Sequence, residues 1–420
     1  MSVGQLIGWG LLAALWACSR LPAQVSSLSG RSHLRMLELH KQYGPVVRIG
    51  PNRLTFFPGQ SLKDIYNRTG PRSFKKNRPY YMPPPNNVDH LVGEGLKTQE
   101  ALVTQYVDAF IQGLSAASQK GLVEISAWFN YTTFDITGDL MFGDSFGCLR
   151  NNKLHPWIQL MFSAIKALVF LGVVKQFPTL DWLLMKLVPK SILQKGVDHF
   201  NLSAEKVDMR IAMGNEKNDL MSGMLKNGLS EKHGQHRGIM SRAEIHSNSY
   251  ILIIAGSETS ATALSEITYY LCKYPAIRQR LVAEVRSQSS DLPFLHAVIQ
   301  EGLRIYPPFV GTLSRLPPPG GEAVDGYFVP EGVSALVQIL DPRFLKDKLD
   351  AVEPFSTGPR GCLGKILAYA EIRLILAKLL FHFDISPGPE GDGWIDQDVY
   401  YLWAKPPLMI YMIKRETTAT

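Results

Sequence analysis

The chain has 420 residues, of which 45% are hydrophobic and 19% are charged. This length and apolar share exclude a small disulfide-stapled protein and an intrinsically disordered chain. Lysine and arginine exceed the acidic residues by 44 to 37, so the net charge is +7. A basic balance is typical of chains that bind nucleic acid, an anionic membrane or an acidic protein. Because no basic run is interleaved with aromatic residues, we expect no nucleic-acid partner.

The first twenty residues form an apolar segment. Residues 1–19 carry no charged side chain, and Arg20, Arg31 and Arg35 follow them. The segment suits either a cleaved signal peptide or a retained membrane anchor. Positive charges placed after the apolar run favour an anchor, with the following domain on the cytoplasmic side. We therefore expect a membrane protein whose main domain faces the cytoplasm.

The remaining elements follow from hydrophobic periodicity and from the positions of glycine and proline. In chain order we predict a helix over 32–43, strands over 46–49 and 53–57, helices across 96–225, a long helix over 243–273, helices over 276–289 and 295–306, paired strands over 326–338, a helix over 364–383 and a terminal hairpin over 399–413. This order predicts a mainly α fold with small β-sheets (α+β). We expect one large domain over 21–420 behind an anchor over 1–20.

A glycine-rich loop around Cys362 is the strongest chemical signal. The loop runs Phe355-Ser-Thr-Gly-Pro-Arg360-Gly-Cys362-Leu-Gly364, just before a predicted helix. Glycines let backbone N–H groups approach the sulfur, and the helix N-terminus favours thiolate over thiol. A thiolate held in this way is an axial ligand of haem iron in enzymes that cleave O–O bonds. The alternative is a buried structural cysteine in a turn.

The long helix carries a second signal, the run Gly256-Ser-Glu258-Thr259. A glycine before an acid–hydroxyl pair is unusual in an apolar helix, because glycine costs about 1 kcal/mol there and threonine bends the helix by bonding backward. A groove of this kind beside a haem would hold dioxygen, with Thr259 hydrogen-bonding it and Glu258 relaying protons. The alternative is a helix kink with an exposed glutamate.

A third signal is Glu301-Gly-Leu-Arg304, whose two charged side chains share a helix face. Alone it indicates no more than a surface ion pair. Its weight comes from the order of the three motifs along the chain.

The three motifs in this order resemble the cytochrome P-450 family of haem-thiolate monooxygenases. Segments such as Val298-Ile-Gln-Glu-Gly-Leu-Arg-Ile-Tyr-Pro-Pro and Ala368-Tyr-Ala-Glu-Ile-Arg-Leu are similar to filamentous-fungal members of the isotrichodermin-hydroxylase type. The resemblance implies the following roles: Cys362 as axial iron ligand, Thr259 and Glu258 in oxygen activation, Arg315 and Arg360 as propionate partners, Phe355 and Gly364 beside the thiolate, and Glu301 with Arg304 behind the haem.

The resemblance also implies the cofactor, partners and reaction. The cofactor would be haem b (iron protoporphyrin IX), and electrons would come from an NADPH-dependent flavoprotein reductase. The enzyme would insert one atom of O₂ into a small apolar substrate of fungal secondary metabolism, such as a terpenoid, polyketide or mycotoxin precursor. Substrate would lie between residues 254–255, 309–312 and Leu402. The basic residues Arg343, Lys346, Lys348, Arg360 and Lys365 would dock the reductase, or else form only a solvated loop.

The chain is short for this family, and we predict that internal blocks are missing. The expected joins lie near Gly95–Leu96, between 337 and 341, at Ser290–Asp291 and after the anchor. These blocks include a propionate-binding helix and the segment that supplies a second arginine to the Glu301–Arg304 pair. The alternative function is therefore a catalytically incompetent or mis-spliced product that cannot retain haem. A third possibility is haem-thiolate isomerisation or dehydration without O₂, which the Glu258–Thr259 pair disfavours.

Overall fold

The computed structural model describes residues 21–81, 84–88, 100–177, 181–214, 219–225, 228–230, 239–287, 291–310, 313–337, 353–389 and 391–416. The helices are α1 (Leu21–Leu28), α2 (Ser32–Tyr43), α3 (Gln60–Tyr66), α4 (Glu100–Ser118), α5 (Ile125–Phe142), α6 (Cys148–Asn151), α7 (Pro156–Val174), α8 (Asp181–Leu187), α9 (Lys190–Ala212), α10 (Leu220–Leu225), α11 (Arg242–Lys273), α12 (Pro275–Arg286), α13 (Pro293–Ile305) and α14 (Lys365–His382).

Short strands make up the β component. They are β1 (Val46–Gly50), β2 (Arg53–Phe56), β3 (Lys75–Lys76), β4 (Val123–Glu124), β5 (Leu229–Ser230), β6 (Met240–Ser241), β7 (Arg315–Leu316), β8 (Glu322–Val324), β9 (Tyr327–Val329), β10 (Ser334–Val337), β11 (Phe383–Pro387), β12 (Val399–Tyr400), β13 (Leu402–Trp403) and β14 (Met409–Lys414). The predicted mainly α fold with small sheets is confirmed.

Helix α11 is the central element of the fold. Its first turn is fixed by a capping box, in which Ser241 accepts from the Glu244 N–H and donates its own N–H to the Glu244 carboxylate. Pro275 begins the next helix, so α11 ends at Lys273. Both ends agree with the predicted helix over 243–273. Helix α11 packs against α5, α9, α13 and α14, and most of its side chains are buried.

The strands form one five-stranded sheet, one three-stranded sheet and three two-stranded ribbons within the described residues. The orders are β1-β2-β10-β7-β3 and β11-β14-β4, and the ribbons are β5-β6, β8-β9 and β12-β13. The five-stranded sheet is mixed, because β10 runs parallel to β2 and antiparallel to β7.

Two predicted strand pairings are wrong. The two strands of residues 326–338 do not pair with each other, because β9 pairs with β8 and β10 inserts between β2 and β7. The predicted hairpin over 399–413 is confined to β12 and β13, while β14 pairs with β11 and β4. In both cases the last strand, β10 or β14, pairs with strands distant in sequence, whereas the short hairpins β8–β9 and β12–β13 form between sequence neighbours.

The predicted anchor over 1–20 lies outside the described residues. Among the helices that the structure describes, none combines the length and apolar character needed to cross a bilayer.

Candidate functional site

The Cys362 loop is held in a strained, closely packed conformation. Ser356 and Gly358 have positive φ angles of 57° and 76°. A Cβ atom on Gly358 would lie 2.2 Å from the carbonyl oxygen of Tyr66, so only glycine fits there. The Cys362 N–H donates to the Phe355 carbonyl at 2.8 Å and closes the loop. This packing places Cys362 immediately before helix α14.

The surroundings of the Cys362 thiol act on its pKa in opposite directions, and burial, the largest cause, leaves that pKa above its usual value. Burial raises the pKa of the Cys362 thiol, whereas the backbone N–H groups of Gly364 and Lys365 and the charge of Lys365 lower it. Gly364 is the N-cap of α14, so the helix dipole acts in the same direction as those N–H groups. Cys362 is exposed, whereas Cys148 and Cys272 are buried on other elements. Of these three described cysteines, only Cys362 combines access with thiolate-stabilising groups.

Phe355, the first residue of the Cys362 loop, packs against the helix that follows the loop. Its ring lies 5.0 Å from the ring of Tyr369 on α14, and the Lys365 ammonium lies 5.9 Å from the Phe355 ring centre. Apart from its chain neighbours and the backbone of α14, no atom of the described residues lies within 4 Å of the position that a Cβ on Gly364 would take. Phe355 and Gly364 lie in the same loop as Cys362, and their role beside a thiolate stays a prediction.

Arg315 and Arg360 meet beside Tyr81. Arg315 is 4% exposed, and its guanidinium donates to the Tyr81 hydroxyl and to the Ser314 carbonyl. Partial desolvation and the charge of Arg315 lower the pKa of Arg360. No carboxylate of the described residues forms an ion pair with either arginine. Two cations that repel each other, the buried Arg315 and the exposed Arg360, form a site for carboxylates. Tyr81, which the sequence analysis missed, completes this site.

Helix α11 presents a partly open face around Thr259. Ile251, Ala255 and Thr259 follow one another at four-residue spacing and are exposed or half-buried, while the helix around them is mostly buried. The Thr259 hydroxyl donates to the Ala255 carbonyl at 2.7 Å, which is the backward bond predicted from the sequence. On another side of the helix, Gly256 allows close approach to Thr137 of α5.

Glu258 is not on this open face. Its carboxylate forms a buried ion pair with Lys405, and Thr262 contacts both groups. The alternative interpretation of this motif, a helix kink with an exposed glutamate, is therefore wrong. Lys405 escaped the sequence analysis because it lies 147 residues away, in a segment without a local charge pattern.

Glu301 and Arg304 form the predicted pair on α13. The Arg304 guanidinium donates two hydrogen bonds, of 2.7 and 2.6 Å, to the Glu301 carboxylate. The Glu301 side chain is 55% exposed, so this end of the pair lies at the surface of the described residues. Residue Arg343 and the expected join between 337 and 341 lie partly or wholly outside the described residues.

Two buried carboxyl groups lie near the interface of α11 with α13 and α14. Burial, together with the charge of Glu301, raises the pKa of Glu266 well above its usual range. Burial raises the pKa of Glu371 on α14 to about 8, despite the opposing effect of the Ser260 hydroxyl on α11. Both groups therefore favour the protonated form at neutral pH.

The predicted substrate-binding segments are partly adjacent. Phe309 and Leu402 form an isolated β-bridge, and the Trp403 indole donates to the Pro307 carbonyl at 2.9 Å. Residues 311–312, Lys346 and Lys348 lie outside the described residues, as do the joins at Gly95–Leu96 and Ser290.

The described residues fit a haem. Cys362 supplies an exposed sulfur at a helix N-terminus, and the helix that follows it packs against α11, which carries Thr259. Arg315 and Arg360 are two cations without a protein carboxylate among the described residues, as the propionates of haem require.

Comparisons with known proteins agree with this geometry. The cytochrome P450 family profile matches residues 60–341 and 341–411. The chain is 35% identical to the cytochrome P450 monooxygenase astJ of Aspergillus oryzae, covering 96% of this chain and 91% of that protein. It is 34% identical to averantin hydroxylase of Dothistroma septosporum (96% and 85% covered). It is 36% identical to trichothecene C-15 hydroxylase of Fusarium sporotrichioides (94% and 91% covered).

The same alignments bear on the length of the chain. The alignment with the Aspergillus protein runs over 460 positions, whereas 96% of 420 residues is about 403. About 57 aligned positions, the difference between 460 and 403, therefore have no counterpart in this chain. The profile match is also divided at residue 341, one of the predicted joins. The fold, the site and these matches together lead to one conclusion: the chain belongs to the cytochrome P450 family of haem-iron monooxygenases.

Proposed function

We propose that this chain binds haem b through Cys362 and inserts one oxygen atom from O₂ into a small apolar substrate of fungal secondary metabolism. The observation that carries the proposal is the Cys362 sulfur at the start of α14, with two backbone N–H groups acting on it. The names of two relatives, an averantin hydroxylase and a trichothecene hydroxylase, support hydroxylation as the reaction. The terpenoid, polyketide and mycotoxin classes are the substrates that we propose to test.

Each site residue has a defined task in this proposal. The bound haem iron supplies the activation and cleavage of O₂. Cys362 is the thiolate ligand, Phe355 covers its side of the site, and Arg315 and Arg360 bind the two propionates. Thr259 offers a hydroxyl group on the open face of α11, and we assign the proton relay to the buried carboxylate of Glu258, the residue before it.

Further parts of the proposal concern partners and location. Members of the family generally take electrons from a redox partner, and we assign an NADPH-dependent flavoprotein reductase to this role. The basic residues Arg360 and Lys365 beside the Cys362 loop support docking of an acidic domain. The uncharged residues 1–19 and the arginines after them support an anchor in the endoplasmic reticulum membrane, with the catalytic part facing the cytoplasm.

The test is the difference spectrum of the reduced protein with carbon monoxide. We expect the thiolate-type Soret band in the wild-type protein and in Cys272→Ala, which alters a buried cysteine far along the chain from the loop. Cys362→Ala removes the ligand, so the band should vanish. Thr259→Ala should keep the band but divert oxygen consumption from product to peroxide. A wild-type protein that binds no haem in a haem-replete host contradicts the proposal.

The second candidate is an incompetent or mis-spliced product of such a gene. The absence of counterparts for about 57 aligned positions favours it, as does the exposure of Glu301. Sequencing the transcript separates a faulty gene model from a real message. A message that contains the same joins, together with a haem-free protein, would establish the second candidate.

A further inference from the structure

Lys405 is a cation buried in the middle of the fold. Its side chain is 6% exposed and that of Glu258 is 3% exposed, and the two are in direct contact. Lys405 also contacts the Thr262 hydroxyl, which donates to Glu258 at 3.3 Å. Because a charge in such a place is costly without its partner, removing either group would leave the other as an uncompensated buried charge.

The segment that carries Lys405 is fixed on both sides. Before it, the Trp403 ring stacks on Tyr306 with 4.0 Å between ring centres. After it, the Pro406 carbonyl accepts a hydrogen bond of 3.1 Å from the Trp394 indole. The backbone on both sides of Lys405 is therefore held in place, and the long Lys405 side chain reaches from this segment into the protein.

The ion pair also fixes the direction of the Glu258 carboxylate. Glu258 and Thr262 are four residues apart and share the face of α11 that meets Lys405. Thr259 lies about 100° further round the helix, on the open face with Ala255. The carboxylate is thus adjacent in sequence to the Thr259 hydroxyl but is turned toward the segment of Lys405.

We propose that Lys405 is a positioning residue for oxygen activation, which fixes the direction of the Glu258 carboxylate relative to Thr259. This inference rests on the proposed function. Lys405 holds the Glu258 carboxylate in place through the buried ion pair and through their shared contact with Thr262. Without Lys405, the carboxylate loses its buried partner and turns away from its present place, so the polarity near Thr259 changes.

The first measurement is a double-mutant cycle on the full chain, using urea unfolding. Lys405→Met and Glu258→Gln should each raise the unfolding equilibrium constant at least about 100-fold, because each leaves a buried charge without its partner. The double variant leaves no buried charge and should lie within about tenfold of the wild-type value. Additive effects of the two substitutions would show that the groups are not coupled and would overturn the proposal.

The second measurement separates positioning from stabilisation of the fold. In the reduced carbon monoxide complex, the C–O stretching frequency reports polar groups near the bound molecule. We expect it to shift in Lys405→Met and in the double variant but to keep the wild-type value in Lys405→Arg. An unchanged frequency in Lys405→Met and in the double variant would overturn the proposal. If Lys405→Met does not fold, the double variant carries the same prediction.

The wild-type spectrum distinguishes the two proposals. A wild-type protein without the thiolate-type Soret band contradicts the proposed function itself. A wild-type protein with that band, combined with a C–O stretch that is insensitive to Lys405, contradicts only the role of Lys405.

Discussion

The buried carboxyl group of Glu371 makes the stability of the fold depend on pH. Its pKa is raised from 4.5 to about 8 by burial. The folded state therefore keeps a proton that the unfolded state releases, so the stabilisation is complete below pH 4.5 and is lost as the pH rises through 8. At 1.36 kcal/mol per pH unit, the free energy of unfolding falls by about 3 kcal/mol at pH 7 and by about 4 kcal/mol at pH 8.

Glu371→Gln replaces the carboxyl by a neutral group of the same shape and removes this loss. We expect the variant to equal the wild type near pH 4.5 and to be more stable by about 3 kcal/mol at pH 7. Urea unfolding followed by circular dichroism at pH 5, 7 and 8.5 measures the difference. The control is Glu38→Gln, whose side chain is 66% exposed and whose effect should stay within about 0.5 kcal/mol. Parallel pH profiles of the wild type and Glu371→Gln would refute the reasoning.

Three further predictions concern the loop, the cofactor and acid stability. Gly358→Ala places a Cβ 2.2 Å from the Tyr66 carbonyl oxygen at a φ of 76°. We therefore expect the free energy of unfolding, measured with urea, to fall by about 2 kcal/mol or more. The control is Gly196→Ala in helix α9, where a Cβ has free space, and it should raise the free energy of unfolding by up to about 1 kcal/mol. Arg315→Met should speed haem transfer to a haem-free acceptor protein about tenfold or more, because a buried charged donor is lost; an unchanged rate would exclude propionate binding. Burial lowers the pKa of His199 to about 4, so the free energy of unfolding falls by about 3 kcal/mol as the pH drops from 6.5 through 4. His199→Gln should reduce this loss of stability in acid. An unchanged dependence on pH in the variant would show that other groups cause the loss.

Local features made much of the fold predictable from the sequence. The bounds of α2 agree with the predicted helix over 32–43, since glycine and proline follow it directly. The long helix was predictable because a capping box begins it and a proline follows it. Strand partners were not predictable in this way. Residues 334–337 pair in parallel with residues 53–56, and the choice of partner depends on burial across the whole chain.

The candidate site also contains local motifs, which were predictable, and contacts between distant parts of the chain, which were not. The Cys362 loop was predictable because its glycines, its arginine and the following helix are close in sequence. The Glu301–Arg304 pair was equally local, at three-residue spacing. Tyr81 and Lys405 were missed because each contacts its partner, Arg315 or Glu258, across more than a hundred residues. Such contacts have no signature in the local spacing of residue types.

The three-stranded sheet has a consequence for how the chain folds. Strand β14, at residues 409–414, lies between β11 and β4, so the central strand is synthesised after both of its neighbours. Residues 123–124 must wait for a partner that leaves the ribosome nearly three hundred residues later. This sheet therefore closes only after residues 409–414 have been synthesised, and a chain cut short before residue 409 would expose two unpaired strands to aggregation.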